Sequence, residues 1–96
     1  MKLIKDEKRK GMYYFYCPGC KCAHYLATSE NDCGFPTWSW NGDVEKPTIS
    51  PSVKVTCSVE PKVCHSFIRD GKIQYLSDCT HELAGKTVDM IDWEDL

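Results

Sequence analysis

The 96-residue chain lacks several features that would fix its class at once. No run approaches the roughly 18 to 20 apolar residues of a membrane-spanning helix. The opening MKLIKDEKRK is charged at most positions and has no apolar stretch of the kind a secretory signal needs. A soluble, cytoplasmic protein with reduced thiols is the expectation. No repeat, low-complexity tract or long linker divides the chain, and no segment keeps helical periodicity over three turns. Two zinc-enzyme signatures are also missing. A zinc deaminase needs His-x-Glu ahead of Pro-Cys-x-x-Cys, and nothing before Cys17 supplies it. His81-Glu82 opens an apparent HExxH, but Gly85 stands where the second histidine belongs. The net charge of −2, with no basic stripe outside residues 2–10, argues against nucleic acid as a partner.

What the chain does have is sulfur: seven cysteines, with three histidines beside them. A domain of this size buries only about 60 to 70% of the surface its unfolded form exposes, so a metal or cross-links commonly supplement the core. The absent export signal and the odd cysteine count weigh against disulfides. Metal is expected first, and zinc suits a set of thiolate and imidazole donors. The basic start and the acidic end, DMIDWEDL, either pair or remain solvated, as charge runs usually do.

The organisation reads as β. MYYFYC (12–17) is rich in β-forming aromatics and runs into CPGC, whose proline and glycine make a tight turn. HYLAT (24–28) returns as a strand and SENDCGFP is a loop. Asn41-Gly42 is the pair a two-residue type I′ hairpin prefers, which would set Trp38 and Trp40 on one strand face. KPTISPSVKVTCSV starts irregularly at its prolines, then alternates Val53, Val55, Cys57 and Val59 against Lys54, Thr56 and Ser58. Residues 87–91 suit one more strand. The expected fold is mainly β, a small zinc-stabilised antiparallel domain with a CPGC knuckle. Residues 1–11 would form a charged arm or edge and 12–96 a single domain.

Cys17 and Cys20, two residues apart around a turn, can both reach one zinc at about 2.3 Å and form half of a tetrahedral site. A redox CxxC is expected ahead of a helix in a βαβ unit, which is not evident here. For the other half, a two-residue turn at Asp70-Gly71 pairs Arg69 with Lys72, Ile68 with Ile73, Ser66 with Tyr75 and Cys64 with Ser77. Cys64 and Cys79 then share a face as diagonal neighbours. The expected ligands are Cys17, Cys20, Cys64 and Cys79, with His81 the first substitute; a one-residue bulge would bring in His65 instead. Cys57 reads as a core thiol. Cys22 and His24 either join Cys33 in a second site or, as the more expected case, lie near the metal knuckle without binding. His65 and Asp78 fall on the opposite face, as a structural hydrogen bond or an acid–base pair.

Three stretches, FYCPGCKCAHYL, WSWNGDVEKPTISPSV and CHSFIRDGKIQYLSDCTHELAGKTV, span most of residues 15–88. In them the chain resembles a family of small Cys/His-rich proteins common in phages and prophages, some labelled ammonia monooxygenase. The resemblance marks Cys17, Cys20, His24, Trp40, Asn41, Gly42, Pro47, Thr48, Ser50, Pro51, Ser52, Cys64, His65, Asp78, Cys79 and His81 as family positions and supplies no reaction. The monooxygenase label finds no membrane span or copper constellation in the chain. Two functions are expected to compete. In the first, a non-catalytic phage-encoded module binds a host protein through Trp38, Trp40 and the strand at 48–52. In the second, a small ligand or nucleotide is bound, with possible hydrolysis, by Trp40, Asn41, Asp43, Thr48, Ser50, Ser52, His65 and Asp78. Convergence of His65, Asp78 and the 48–52 hydroxyls would favour the second.

Overall fold

The computed structural model describes residues 1–31, 37–57 and 62–96, with Cys57 described for its backbone alone. The readings made for Cys33, for the Cys57 side chain and for Val59 therefore lie outside the described residues. The fold is mainly β, in two antiparallel sheets. The first joins β1 (Ile4–Lys5), β2 (Met12–Cys17) and β3 (Cys22–Ala27) in that order. The second is a meander of β4 (Ser39–Trp40), β5 (Ile49–Cys57), β6 (Lys62–Arg69), β7 (Lys72–Tyr75) and β8 (Thr87–Asp89). Among the described residues no helix is long and apolar enough to cross a membrane.

One core joins the sheets. Phe15 and Leu26 from the first pack with Ile49, Val53, Ile68, Ile73 and Tyr75 from the second, and each such burial is worth about 1.5 to 3 kcal/mol. Leu3, just before β1, is also buried, so residues 1–11 contribute both an edge strand and a core side chain. The chain ends meet: the Met1 ammonium donates to Glu94 at 2.7 Å and Lys2 to Asp92 at 3.2 Å. The Met1–Glu94 pair is exposed and adds little stability.

The Asp70-Gly71 turn forms as its sequence predicts. Both residues have positive φ, at 50° and 75°, and Arg69 pairs with Lys72, Ile68 with Ile73 and Ser66 with Tyr75. Asn41-Gly42 behaves differently. Trp40 pairs with Ile49, leaving residues 41–48 as a long connection, and of the pair Gly42 alone has positive φ. The Asn41 side chain is the reason: its carbonyl accepts from the Asp43 and Thr48 amides and its amide donates to Lys46 O, which braces a wide loop.

β5 carries the irregularity that its prolines foretell. Ile49 pairs with Ile68 and Val53 with Ser66, four residue steps against two, so two extra residues bulge from β5 around Pro51, whose peptide with Ser50 is cis. Bulges re-aim side chains. Beyond this one, β5 and β6 run in register, with Lys54 opposite His65 and Val55 opposite Cys64.

Candidate functional site

β6 alternates between two chemistries. Cys64, Ser66 and Ile68 point into the core, while His65 and Phe67 face outward. At the inner face Cys64 meets the knuckle that follows β2. There the Lys21 amide donates to Cys17 O at 2.7 Å, and the Cys20 amide donates to Cys17 Sγ at 3.3 Å. His81 arrives from the loop after β7. The donor atoms of Cys17, Cys20, Cys64 and His81 all lie within 4.8 Å of one another, a Cys3His set able to hold a metal ion. Gly19 is required here, because a Cβ on it would overlap the His81 ring.

The chemistry of this cluster fits a cation. Without one, its sulfurs cannot all ionise. The hydrogen bond with Cys64 pulls the Cys17 thiol well below its ordinary range, and the same contact pushes Cys64 up. Burial and then the charge on Cys17 push Cys20 up as well. A divalent ion removes that conflict by allowing every thiolate to form. Outer partners are in place: Tyr75 Oη is 3.1 Å from Cys17 Sγ, and its own ionisation is pushed up, chiefly by burial. His24 is buried, with no hydrogen-bond partner at Nε2, yet it stands close enough to Cys17 to favour the thiolate. His81 Nε2 faces Cys64 Sγ at 3.5 Å, while Nδ1 accepts from the Leu83 amide at 3.2 Å. Metal ligation through Nε2 needs the proton on Nδ1, so loading must reset the Leu83 contact.

The structure puts His81, not Cys79, in the fourth place. Strand β7 stops at Tyr75, and the Cys79 amide donates to Leu76 O at 3.2 Å, closing a turn. The alternation that would bring Cys79 beside Cys64 ends there, and the expected Cys64–Ser77 pairing does not form. Cys79 Sγ instead accepts from the His65 amide at 3.2 Å and donates to His65 O at 3.1 Å. Cys22 and His24 line a cavity of about 430 Å³ beside the cluster, with Cys20 and His81. Among the described residues no second group of three donors gathers.

On the outer face, His65 Nδ1 lies 3.2 Å from Asp78 Oδ2 and His65 Nε2 lies 3.0 Å from Ser52 Oγ. Ser52 lies two residues before Lys54, the partner of His65, and so is a diagonal neighbour on the same face. Trp38 holds the Ser52 carbonyl through its indole N–H at 3.2 Å. The His65 side chain is 23% exposed and that of Asp78 51%, so the acid sits toward water with the imidazole beneath it.

The other expected pocket residues disperse. Thr48 Oγ1 accepts from the Asp70 amide, Asp43 accepts from the Glu45 and Lys46 amides, and Trp40 donates to Asp43 O and packs on Tyr13. Ser50 is exposed and paired with Ser39. Sequence reasoning grouped Ser52 with the other hydroxyls and did not single it out. No local motif marks it, since its alignment with His65 depends on how β5 pairs with β6. Tyr75 as a thiol partner was likewise missed; only its register opposite Ser66 hinted that it faces inward.

The arrangement defines a small two-sheet β protein with a Cys3His cluster inside that could hold a metal ion and a hydrogen-bonded Ser52–His65–Asp78 chain outside. Over residues 1–76 the chain matches the family described as bacterial ubiquitination-like system serine protease (BubE), and it belongs to that family. The match takes in Ser52 and His65 and stops just before Asp78. The description names a bacterial system and a protease, where the resemblance noted above pointed to phages and, in its label, to a monooxygenase. No curated protein and no solved structure matches the chain.

Proposed function

We propose that the chain is a serine peptidase of a bacterial ubiquitination-like system, with Ser52 as nucleophile, His65 as general base and Asp78 as the group that orients it. One observation carries the reading: Ser52, His65 and Asp78 are linked in sequence through the two different nitrogens of one imidazole, at 3.0 and 3.2 Å. With the Nδ1 proton donated to Asp78, Nε2 is left as an acceptor aimed at the Ser52 hydroxyl. Ser52 Oγ attacks the scissile carbonyl carbon as its proton passes to Nε2. The imidazolium gives that proton to the departing amine as the C–N bond breaks, leaving an acyl-serine ester. Water then adds, its proton passing to His65, and the carboxylate product leaves with Ser52 restored. Trp38, whose indole donates to the Ser52 carbonyl, also lines a cleft of about 500 Å³ with Trp40, Tyr13 and Glu30.

Zinc is the metal that the Cys3His cluster suits, held by Cys17, Cys20, Cys64 and His81. Four protein donors close a tetrahedral site, so the ion supplies folding free energy and no reaction step. The reading is tested by incubating the protein with a peptide library and identifying new termini by mass spectrometry. Cleavage by the wild type that Ser52→Ala abolishes supports it. Cleavage that survives in Ser52→Ala, or none by the wild type, overturns it in favour of the non-catalytic binding module.

A further inference from the structure

The geometry points to Cys79 as a positioning residue for His65 and Asp78, a role that rests on the peptidase reading of these two side chains. The argument begins with the register of the hairpin. Ser66 faces Tyr75, so the next pair outward is His65 and Leu76. In an antiparallel ladder these two would exchange both backbone hydrogen bonds. One of them forms, the Leu76 amide donating to His65 O at 2.9 Å. The reciprocal bond, from the His65 amide to Leu76 O, is replaced: the His65 amide donates to Cys79 Sγ at 3.2 Å, and the same sulfur donates its proton to His65 O at 3.1 Å.

The substitution frees Leu76 O for another use. It accepts from the Cys79 amide at 3.2 Å, closing the turn 76–79 in which Asp78 is the third residue. That turn swings the Asp78 carboxylate to 3.2 Å from His65 Nδ1. A continued strand would need Leu76 O for the ladder, and the turn could not close. The thiol thus stands in for a backbone carbonyl, keeps the buried side of His65 satisfied and lets the acid-bearing turn form. Cys79 is buried, packs in the core and lies outside the donor cluster.

The test compares wild type, Cys79→Ala and Cys79→Ser by the rate at which a fluorophosphonate labels Ser52, the downfield His65 Nδ1 proton resonance and the metal content. The expected result for Cys79→Ala is labelling slowed at least about tenfold, the scale of a small misplacement of reacting groups, with the Nδ1 proton lost to exchange and the metal retained. Cys79→Ser, whose hydroxyl can both accept and donate, should restore labelling to within about threefold of wild type, given its retained hydrogen bonds. Wild-type labelling and an intact Nδ1 signal in Cys79→Ala overturn the inference, as does metal loss from that variant while it remains folded. Should Cys79→Ala not fold, Cys79→Ser decides by the same readouts. A wild type that labels nowhere refutes the peptidase reading instead, and the Nδ1 resonance then judges the positioning role alone.

Discussion

At the residue scale the account depends on one imidazole with a different partner on each nitrogen. Ser52→Ala removes the nucleophile and should abolish peptide cleavage, a loss on the order of 10⁴-fold or more in kcat, with the thermal midpoint nearly unchanged because a single exposed-face hydroxyl is removed. Asp78→Asn should cost kcat heavily, by on the order of 10⁴-fold in a fully formed triad, while KM stays near wild type. Steady-state kinetics on one cleaved peptide checks both. The half-exposed carboxylate of Asp78 places any shortfall: water screening weakens its hold on the imidazole. At the same scale, the identity of the fourth metal donor turns on a single turn. Cys79 and His81 were both in view from the sequence, and choosing between them required knowing that Leu76 O closes on the Cys79 amide.

At the element scale the β6–β7 hairpin separates the two chemistries, Cys64 inward and His65 outward. Its register was readable because Asp-Gly at 70–71 accepts positive φ at both positions, and so the opposition of faces followed, while Asp78 meets His65 through the 76–79 turn and not through a continued strand. The element that was not readable is β5. Two prolines announced an irregularity, but nothing local says that two extra residues bulge there or that Ser52 emerges beside His65. Asn41-Gly42 misled for a related reason: the Asn41 side chain found better partners within a wide loop than a tight hairpin would offer. Two predictions belong here. Gly19→Ala should lower metal content and the thermal midpoint together, since its Cβ overlaps the His81 ring; metal analysis with thermal denaturation checks it. Asp43 has its carboxyl held below the usual range by the Glu45 and then the Lys46 amides. A depressed carboxyl stabilises the fold above its unfolded range, about pH 3.9, and that contribution is lost as pH falls through the lower folded value. Asp43→Ala should therefore show a shallower acid-side decline than wild type in denaturation curves taken from pH 5 to pH 2.

For the whole molecule, two small sheets share a thin core, and the Cys3His cluster ties the knuckle after β2 to β6 and to the loop that carries Asp78. Purified protein should carry about one zinc per chain, and a chelator should unfold it cooperatively, because ligation free energy is folding free energy in a domain this small. Mass spectrometry under native conditions and circular dichroism during chelation read both. On the proposed reading the ion shapes the fold while the reaction is left to Ser52, His65 and Asp78 on the other face. That division is tested most directly by treating the metal-loaded protein with a fluorophosphonate and locating the adduct by peptide mass spectrometry. The account predicts one adduct, on Ser52, absent from His65→Ala although its metal is retained; no adduct, or one on another residue, would contradict it.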